Sequence, residues 1–269
     1  MCGLVVLMKN KTTIEDLQFM QYALQQIKHR GPDDEQLYVS EQLILGFNRL
    51  SIIDLEGGSQ PFHSSDKTCH LVFNGEIYNY LELRTQLEKL GFSFETSCEA
   101  EVIVTLYQLL GLEFMSQLRG MFSLVLYDEI TQELIAVRDR FGIKPLYYYH
   151  LDDGIFLTSE LKVFKSIYDK EQFLDFKALQ HYFTFQYIPE PDTCLIDIKA
   201  LEAGTYLTYS LEKGLRIKTY ATVELLPTKK TSYVLKEELQ QAIVSSVKSH
   251  LQSEVEVGCF LSGGIDSTI

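Results

Sequence analysis

The sequence predicts a mixed, sheet-rich layered domain with helices on its outer faces, followed by the beginning of a second domain. Two observations carry this prediction. Short segments rich in β-branched and aromatic residues outnumber the amphipathic helical segments, and many of them are separated by short turns. At residues 226–232 the composition then changes to a polar linker, after which a new amphipathic helix begins.

The hydrophobic pattern of the first domain predicts eight strands and three helices. The strands are expected at residues 4–8, 42–47, 70–74, 122–127, 133–138, 146–149, 154–158 and 205–209. Apolar residues three or four apart predict helices over residues 14–28, 80–90 and 99–110. Gly91 and Gly111 follow two of these helices, where glycine favours a helix end.

The second domain begins with a helix that Ser232 can cap. One face of this helix carries Leu235, Leu239, Ala242, Ile243 and Val247. A short strand is expected at residues 257–261, and a glycine-rich turn follows at 262–267. Such a turn needs a helix after it to present amide groups to an anion and to cover the sheet. Because the sequence stops at Ile269, we expect that helix to be absent and the domain to be cut off.

Composition excludes several classes of protein. The 269 residues include 24 basic and 37 acidic ones, and the net charge of −13 argues against binding to nucleic acid or to an anionic membrane. The apolar runs are far shorter than the ~18 residues of a membrane span, and the first is too short for a signal peptide. Five cysteines without C-x-x-C spacing suggest neither a disulfide framework nor a zinc site. We therefore expect a cytoplasmic protein with reduced thiols and no metal site.

Cys2 is the first candidate for catalysis. Removal of Met1 would place a thiol and a free α-amine on one residue. Near neutral pH this amine can take the thiol proton and later return it to a leaving group. A cysteine at position 2 is more often incidental, so the assignment depends on other segments.

Three other segments contain candidate residues. Residues 29–33 form a His-Arg-Gly-Pro-Asp turn, which alone is only a break between elements. Arg49 ends an apolar strand, where it could bind a carboxylate or form a structural salt bridge. Asn74 and Gly75 could direct two N–H groups at an oxyanion, although a plain Asn-Gly turn is the commoner meaning of this pair.

Four blocks in this order resemble the class II glutamine amidotransferases. They are Met1-Cys2-Gly3 and residues 29–33, 49–54 and 74–79. The resemblance implies an α+β fold, the four-layer αββα N-terminal-nucleophile hydrolase sandwich with antiparallel sheets. Further blocks at 119–122, 138–148 and 185–191 point to the glutamine-hydrolysing asparagine synthetases, and residues 261–267 are similar to the pyrophosphate loop of that family's ATP-binding domain.

This resemblance implies two domains and a set of substrates. Residues 1–215 would be the glutaminase domain, and residues 216–269 the linker and truncated start of an α/β ATP-pyrophosphatase domain. Glutamine, aspartate and ATP would be the substrates, with ammonia passing through an internal tunnel to form asparagine. The complete synthetase would use ATP and Mg, the glutaminase step would need no cofactor, and a homodimer is left open.

The resemblance also implies roles for individual residues. Cys2 would attack the glutamine amide and form a thioester, with its own amine as base, while Asn74 and Gly75 would form the oxyanion hole. The glutamine α-carboxylate would bind Arg49, and its α-amino group would contact the backbone at Ile52 and the carboxylate of Glu76. The residues implied for ATP binding in a completed domain are Leu261, Ser262, Gly263, Gly264, Asp266 and Ser267.

Two substitutions depart from the family pattern. Glu99 stands where the family usually carries an Asp that contacts the substrate amine, so its carboxylate is carried on an arm one methylene longer. Displacement of a binding group by ~1 Å can cost ~10²-fold in rate unless the backbone shifts. Glu256 stands where the family often has Pro, and we interpret it as a solvated strand edge.

Other functions remain open at this level. A truncated paralogue could bind glutamine or a partner synthetase without hydrolysing anything, and another amidotransferase could feed a different acceptor. The presence of Cys2, Arg49, Asn74 and Glu76 together favours the enzyme. With Met1 attached we expect no activity, because the Cys2 amine is then an amide; His29 is the next base to consider.

Overall fold

The computed structural model describes residues 1–54, 57–166 and 174–268. Within these residues the strands are β1 (Gly3–Lys9), β2 (Asp34–Val39), β3 (Leu43–Arg49), β4 (Phe62–His63), β5 (Cys69–Ile77), β6 (Gly120–Asp128), β7 (Glu133–Arg138), β8 (Tyr147–Leu151), β9 (Gly154–Thr158), β10 (Ile198–Ala200), β11 (Thr205–Ser210) and β12 (Gly214–Thr219). The α-helices are α1 (Ile14–Gln26), α2 (Tyr80–Lys89), α3 (Glu99–Leu110), α4 (Phe114–Gln117), α5 (Phe176–Phe185), α6 (Ser232–His250) and α7 (Ile265–Thr268).

The strands form two six-stranded sheets in which every neighbouring pair is antiparallel. The first sheet has the order β10-β8-β9-β1-β3-β2, and the second has the order β12-β11-β7-β6-β5-β4. Inward-facing residues of both sheets form a common core that includes Leu4, Phe47, Val72 and Val125. The two sheets therefore pack face to face as a sandwich.

Helices cover the outer face of each sheet. Helix α1 buries Met20 and Leu24 in an apolar cluster with Val5 and Ile44 of the first sheet. Helices α2 and α3 cover the second sheet, where buried Ile103 shares a cluster with other apolar residues of that face. The order is helix, sheet, sheet, helix, which confirms the four-layer αββα sandwich that the resemblance implied.

All eight strands predicted for the first domain are present, within a few residues of the predicted bounds, but four others were missed. Strands β2 and β12 lie at the edges of the two sheets, where one side of the ladder meets solvent and polar residues are tolerated. Strands β4 and β10 have only two and three residues, too few to show a pattern. Helices α4 and α5 were missed as well. The turns after α2 and α3 do contain Gly91 and Gly111 with φ of 98° and 56°.

The prediction for the C-terminal region needs three corrections. Residues 257–261 form no strand in the described part of the chain, because no neighbouring strand is there to pair with them. A helix does follow the glycine turn, since α7 begins at Ile265. The side chain that caps α6 belongs to Thr231 rather than Ser232; it accepts a hydrogen bond from the backbone of Val234.

Helix α6 is the longest helix among the described residues, and none of its side chains is buried. Its apolar stripe, which includes Leu235, Leu239 and Val247, is exposed to solvent. None of the helices in the described ranges combines the length and the apolar character that crossing a membrane requires.

The sandwich brings four chain segments together at one end. Cys2 precedes β1, and Arg49 is the last residue of β3, which pairs with β1 so that Gly3 faces Asn48. In the second sheet, β5 ends at Ile77. Helix α3 begins at Glu99 beside the same strand. The topology therefore places residues distant in sequence around one space.

Candidate active site

A cavity of about 230 Å³ lies at this end of the sandwich. It is lined by all seven residues that the sequence assigned to catalysis or glutamine binding: Cys2, Arg49, Ile52, Asn74, Gly75, Glu76 and Glu99. These residues come from two sheets, one helix and the loop after β3. Their convergence in one cavity is the main structural finding about the site.

The Cys2 thiol points toward the chain just after β3. Its Sγ donates to the carbonyl oxygen of Leu50 at 3.6 Å, and the Leu50 backbone N–H donates to Sγ at 3.4 Å. The carbonyl of Cys2 accepts a hydrogen bond of 2.9 Å from Nε of Arg30. Burial raises the pKa of the Cys2 thiol. At neutral pH the resting thiol is therefore protonated and needs a base to become a nucleophile.

Met1 also lines the cavity, and its α-amine is the terminal amine of this chain. Burial lowers the pKa of this amine, which favours the neutral form that a base requires. While Met1 is attached, the nitrogen of Cys2 is part of a peptide bond and cannot accept a proton. The chemistry expected of Cys2 therefore requires removal of Met1.

Asn74 and Gly75 lie inside β5, where they face Ser123 and Phe122 of β6. The alternative interpretation as a plain Asn-Gly turn is therefore wrong. The side chain of Asn74 is buried, and its Nδ2 has no hydrogen-bond partner among the described residues. A side chain at Gly75 would place its Cβ 2.1 Å from the carbonyl oxygen of Met121, so only glycine fits there. An unpartnered amide donor at a cavity wall is suited to an oxyanion.

Arg49 is almost fully buried in the wall of the cavity. Its guanidinium donates to the carbonyl oxygen of Ile53 at 3.3 Å and to that of Asp54. The Asp54 carboxylate in turn accepts from the backbone N–H groups of Gly57 at 2.8 Å and Ser97 at 2.9 Å. These bonds fix the loop after β3 and tie it to the segment that leads into α3.

Two carboxyl groups face the same cavity. Burial raises the pKa of Glu76 to about 7, and the positive charge of Lys144 opposes this rise. Burial, reinforced by the charge of Glu76, raises the pKa of Glu99 well above its ordinary range. Oε1 of Glu99 accepts a hydrogen bond of 2.5 Å from the backbone N–H of Ile77. A bound ammonium group would compensate the charge of both carboxylates, and its presence would favour their ionised forms.

Lys144 is a site residue that the sequence reasoning did not identify. It is buried, it lines the cavity, and burial lowers its pKa. Its backbone N–H donates to Oδ2 of the buried Asp139 at 3.1 Å. Arg138 donates to the Lys144 carbonyl oxygen at 2.9 Å, so the turn that carries the lysine is fixed. The sequence feature that could have identified Lys144 is its place as the single lysine in the apolar and aromatic part of the 138–148 block.

The 29–33 block has a structural role and lies outside the cavity. Nε2 of His29 is 2.8 Å from Oε1 of Glu160, and the His29 side chain is exposed. A Cβ at Gly31 would lie 2.2 Å from the carbonyl oxygen of Asn48, so glycine is needed for the chain to pass beside β3. Asp33 accepts a hydrogen bond of 2.8 Å from the backbone N–H of Ser51. His29 is therefore not placed to act as a base on Cys2.

The residues expected to bind ATP form a separate exposed turn. Oγ of Ser262 and Oγ of Ser267 are 2.7 Å apart, and the Gly264 backbone N–H donates to Ser262 at 3.3 Å. Leu261 and Gly263 are exposed, and the side chain of Asp266 lies outside what the structure describes. In the described ranges no group of three or more His, Cys, Asp and Glu side chains is arranged to hold a metal ion.

Comparison with known proteins agrees with this geometry. A family model described as a glutamine amidotransferase domain matches residues 1–221, and one described as asparagine synthase matches residues 238–269. An asparagine synthetase (glutamine-hydrolyzing) of Bacillus subtilis is 39% identical over 100% of this chain and 43% of its own length. Asparagine synthetase B of Escherichia coli is 35% identical over 100% of this chain and 44% of its own.

A solved structure shows the same fold. The glutamine phosphoribosylpyrophosphate amidotransferase of B. subtilis, solved with ADP and GMP, matches 82% of this chain and 50% of its own with a TM-score of 0.60 and 19% identity. The chain spans less than half the length of the two synthetase relatives. Because the first family model covers most of the residues and the cavity contains the expected side chains, this chain belongs to the glutamine amidotransferase domain family.

Proposed function

We propose that this chain hydrolyses L-glutamine to glutamate and ammonia through a thioester on Cys2. The observation that carries the proposal is the cavity itself. It combines a buried thiol, an unpartnered amide donor on Asn74 and the two carboxyl groups of Glu76 and Glu99. A non-catalytic glutamine-binding protein would have no physical need for the thiol or for the unpartnered donor.

Glutamine would bind by its α-carboxylate and α-ammonium groups. Arg49 supplies a fixed guanidinium for the carboxylate. The ammonium would lie against the carbonyl oxygen of Ile52 and the carboxylates of Glu76 and Glu99. This orientation would direct the side-chain amide of the substrate toward Cys2 and Asn74.

The reaction would proceed in two steps after removal of Met1. The Cys2 amine takes the thiol proton, Sγ attacks the amide carbon of glutamine, and the resulting oxyanion accepts hydrogen bonds from Asn74 and from the backbone N–H of Gly75. The amine then gives its proton to the leaving nitrogen, so that the C–N bond breaks and ammonia departs. Water then attacks the thioester and the C–S bond breaks. This step releases glutamate and regenerates the Cys2 thiol.

A role in asparagine synthesis is the larger part of the proposal. The ammonia would serve ATP-dependent amidation of aspartate in a longer protein, with Mg as cofactor. The chemistry of the turn at 262–267 fits a phosphate, because it offers backbone N–H groups and two serine hydroxyls. We propose a glutaminase domain at residues 1–215 and the start of a synthetase domain at 216–269. Strand β12, which pairs with β11, continues to Thr219 and favours a boundary a few residues later. A cytoplasmic location and a homodimer stay predictions.

A glutaminase assay tests the central proposal. Chain from which Met1 has been removed should convert glutamine to glutamate and ammonia in equal amounts, and Cys2→Ala should abolish turnover without unfolding the protein. Glutamine binding without hydrolysis by the processed chain would instead identify a non-catalytic paralogue. Turnover that persists in Cys2→Ala would exclude this residue as the nucleophile.

A further inference from the structure

The segment at the C-terminal end of α6, residues 250–254, returns to the first domain. It contacts one wall of the cavity and the residue that follows β5. One contact is at Tyr78, immediately after β5, and the other is at Ile52, in the loop after β3. By its sequence this segment belongs to the start of the second domain. None of the residues 250–254 is among those proposed to bind glutamine or to react with it.

The first contact joins the side chains of Tyr78 and His250. The Tyr78 hydroxyl is 2.7 Å from Nε2 of His250, and the two rings are 4.3 Å apart between centroids. Nδ1 of His250 is 2.7 Å from the carbonyl oxygen of Ser246, which can only accept. In the neutral ring Nδ1 therefore carries the proton, and Tyr78 donates to Nε2.

The other two contacts are to backbone carbonyl oxygens, one beside the cavity and one in its wall. Nε2 of Gln252 donates to the carbonyl oxygen of Tyr78 at 3.1 Å. The backbone N–H of Glu254 donates to the carbonyl oxygen of Ile52 at 3.1 Å. Within five residues the segment therefore holds Ile52, in the wall that would face the α-ammonium group of glutamine, and Tyr78, two residues after Glu76.

We infer that residues 250–254 are positioning residues that hold the glutamine-binding walls in place. The inference rests on the proposed function, because it assigns these contacts to glutamine binding. The Ile52 carbonyl would contact the substrate ammonium, and Tyr78 adjoins Ile77, whose N–H holds Glu99. Cys2 itself is held by other bonds, to Leu50 and Arg30. Loosening the segment should therefore weaken substrate binding while leaving the chemical step unchanged.

The most specific test removes one backbone donor. Glu254→Pro removes the N–H that bonds to Ile52, and Glu256→Pro is the matched control, because the family often carries Pro there. Tyr78→Phe removes only the hydroxyl that donates a hydrogen bond to His250. Ser249→Ala is its control, because it changes a neighbouring residue in the same turn of α6. Each is measured in the full chain, with Met1 removed, by glutaminase kinetics. Calorimetry with glutamine on a Cys2→Ala background gives binding without turnover.

Loss of one such hydrogen bond should raise the KM for glutamine roughly two- to tenfold, with kcat within about twofold of the parent. The calorimetric Kd should rise by the same factor, and the two control variants should match the parent. An unchanged KM and Kd in both Glu254→Pro and Tyr78→Phe overturns the positioning role while the proposed function stands. A parent chain that neither binds nor hydrolyses glutamine overturns the proposed function and this inference together.

Discussion

Oε1 of Glu99 lies 2.5 Å from the backbone nitrogen of Ile77, so the first residue of α3 is bonded to the last residue of β5. The resemblance implies a shorter Asp at this position, and in the structure the longer Glu reaches the backbone of Ile77. Its carboxylate is buried and fixed at the cavity wall. A residue drifting after loss of function would have no physical reason to keep a carboxyl group there, because burying a polar group costs free energy.

Glu99→Gln should raise the KM for glutamine about 10- to 100-fold, since a hydrogen bond to a charged group is typically worth about 1.5–3 kcal/mol. The amide oxygen can still accept from Ile77, so the fold should persist. Steady-state kinetics over glutamine concentrations that span the KM separate KM from kcat. The exposed Glu113→Gln is the control. If kcat falls while KM stays the same, Glu99 acts in the chemical step rather than in binding.

Glu76 should make the stability of the ligand-free protein fall as pH rises. Burial raises its pKa from 4.5 to about 7, so between these values the folded protein keeps a proton that the unfolded chain has released. The unfolding free energy then decreases with pH over this interval and levels off above it. Urea unfolding between pH 4 and 8 should show that Glu76→Gln gains stability relative to wild type as pH rises. A difference between the two proteins that is constant with pH contradicts the raised pKa.

Lys144→Met should shift the pH dependence of glutamine binding upward. The lysine charge lowers the pKa of Glu76, so its removal weakens the opposition to burial and the carboxylate ionises at higher pH. The KM for glutamine should then reach its minimum at a higher pH than in wild type. Measuring KM across pH 6 to 9 tests this. Superimposable profiles would show that Lys144 does not influence the carboxylate.

Asn74→Ala should lower kcat by about 10²–10³-fold, the loss typical of removing one oxyanion-hole donor. Its Nδ2 has no partner in the described residues, so no hydrogen bond of the folded protein is broken at that atom. Circular dichroism should confirm that the variant is folded. If KM rises and kcat is unchanged, Asn74 only binds the substrate.

Activity should depend on removal of Met1. Removal of Met1 makes the Cys2 amine the chain terminus. It also takes away the side chain of Met1, which lines part of the cavity. Mass spectrometry can compare the processed fraction with specific activity, and kcat/KM should rise with pH as the new amine loses its proton. A preparation with intact Met1 that turns over at the full rate would exclude the amine as base.

The sequence predicts the interior of this fold better than its edges. Strands such as β1 and β6 are buried on both faces, and their apolar runs are therefore distinct. Strand β2 begins with Asp34-Glu35-Gln36, because an edge strand meets solvent, and nothing in that pattern separates it from a loop. Conversely, the apolar residues 257–261 suggested a strand, but local pattern cannot supply the neighbouring strand that a sheet requires.

A residue of the candidate site could be predicted where it belongs to a recognisable sequence motif. It could not be predicted where its position depends on tertiary structure. Cys2, Arg49 and Asn74 belong to sequence blocks whose order along the chain matches that of the class II glutamine amidotransferases. Lys144 faces the cavity only because Asp139 and Arg138 fold its turn back on the second sheet. Likewise, the bond between Glu254 and Ile52 spans about 200 residues of sequence and has no local signal.

The unpartnered amide of Asn74 also has a consequence for engineering. A buried donor with no acceptor among the described residues adds no protein hydrogen bond to the fold, whereas an apolar side chain of similar size would gain free energy on burial. Selection of variants for heat resistance alone would therefore favour Asn74→Leu. The survivors would melt at higher temperature and would have lost the oxyanion donor, so any thermostability screen of this protein needs a turnover assay beside it.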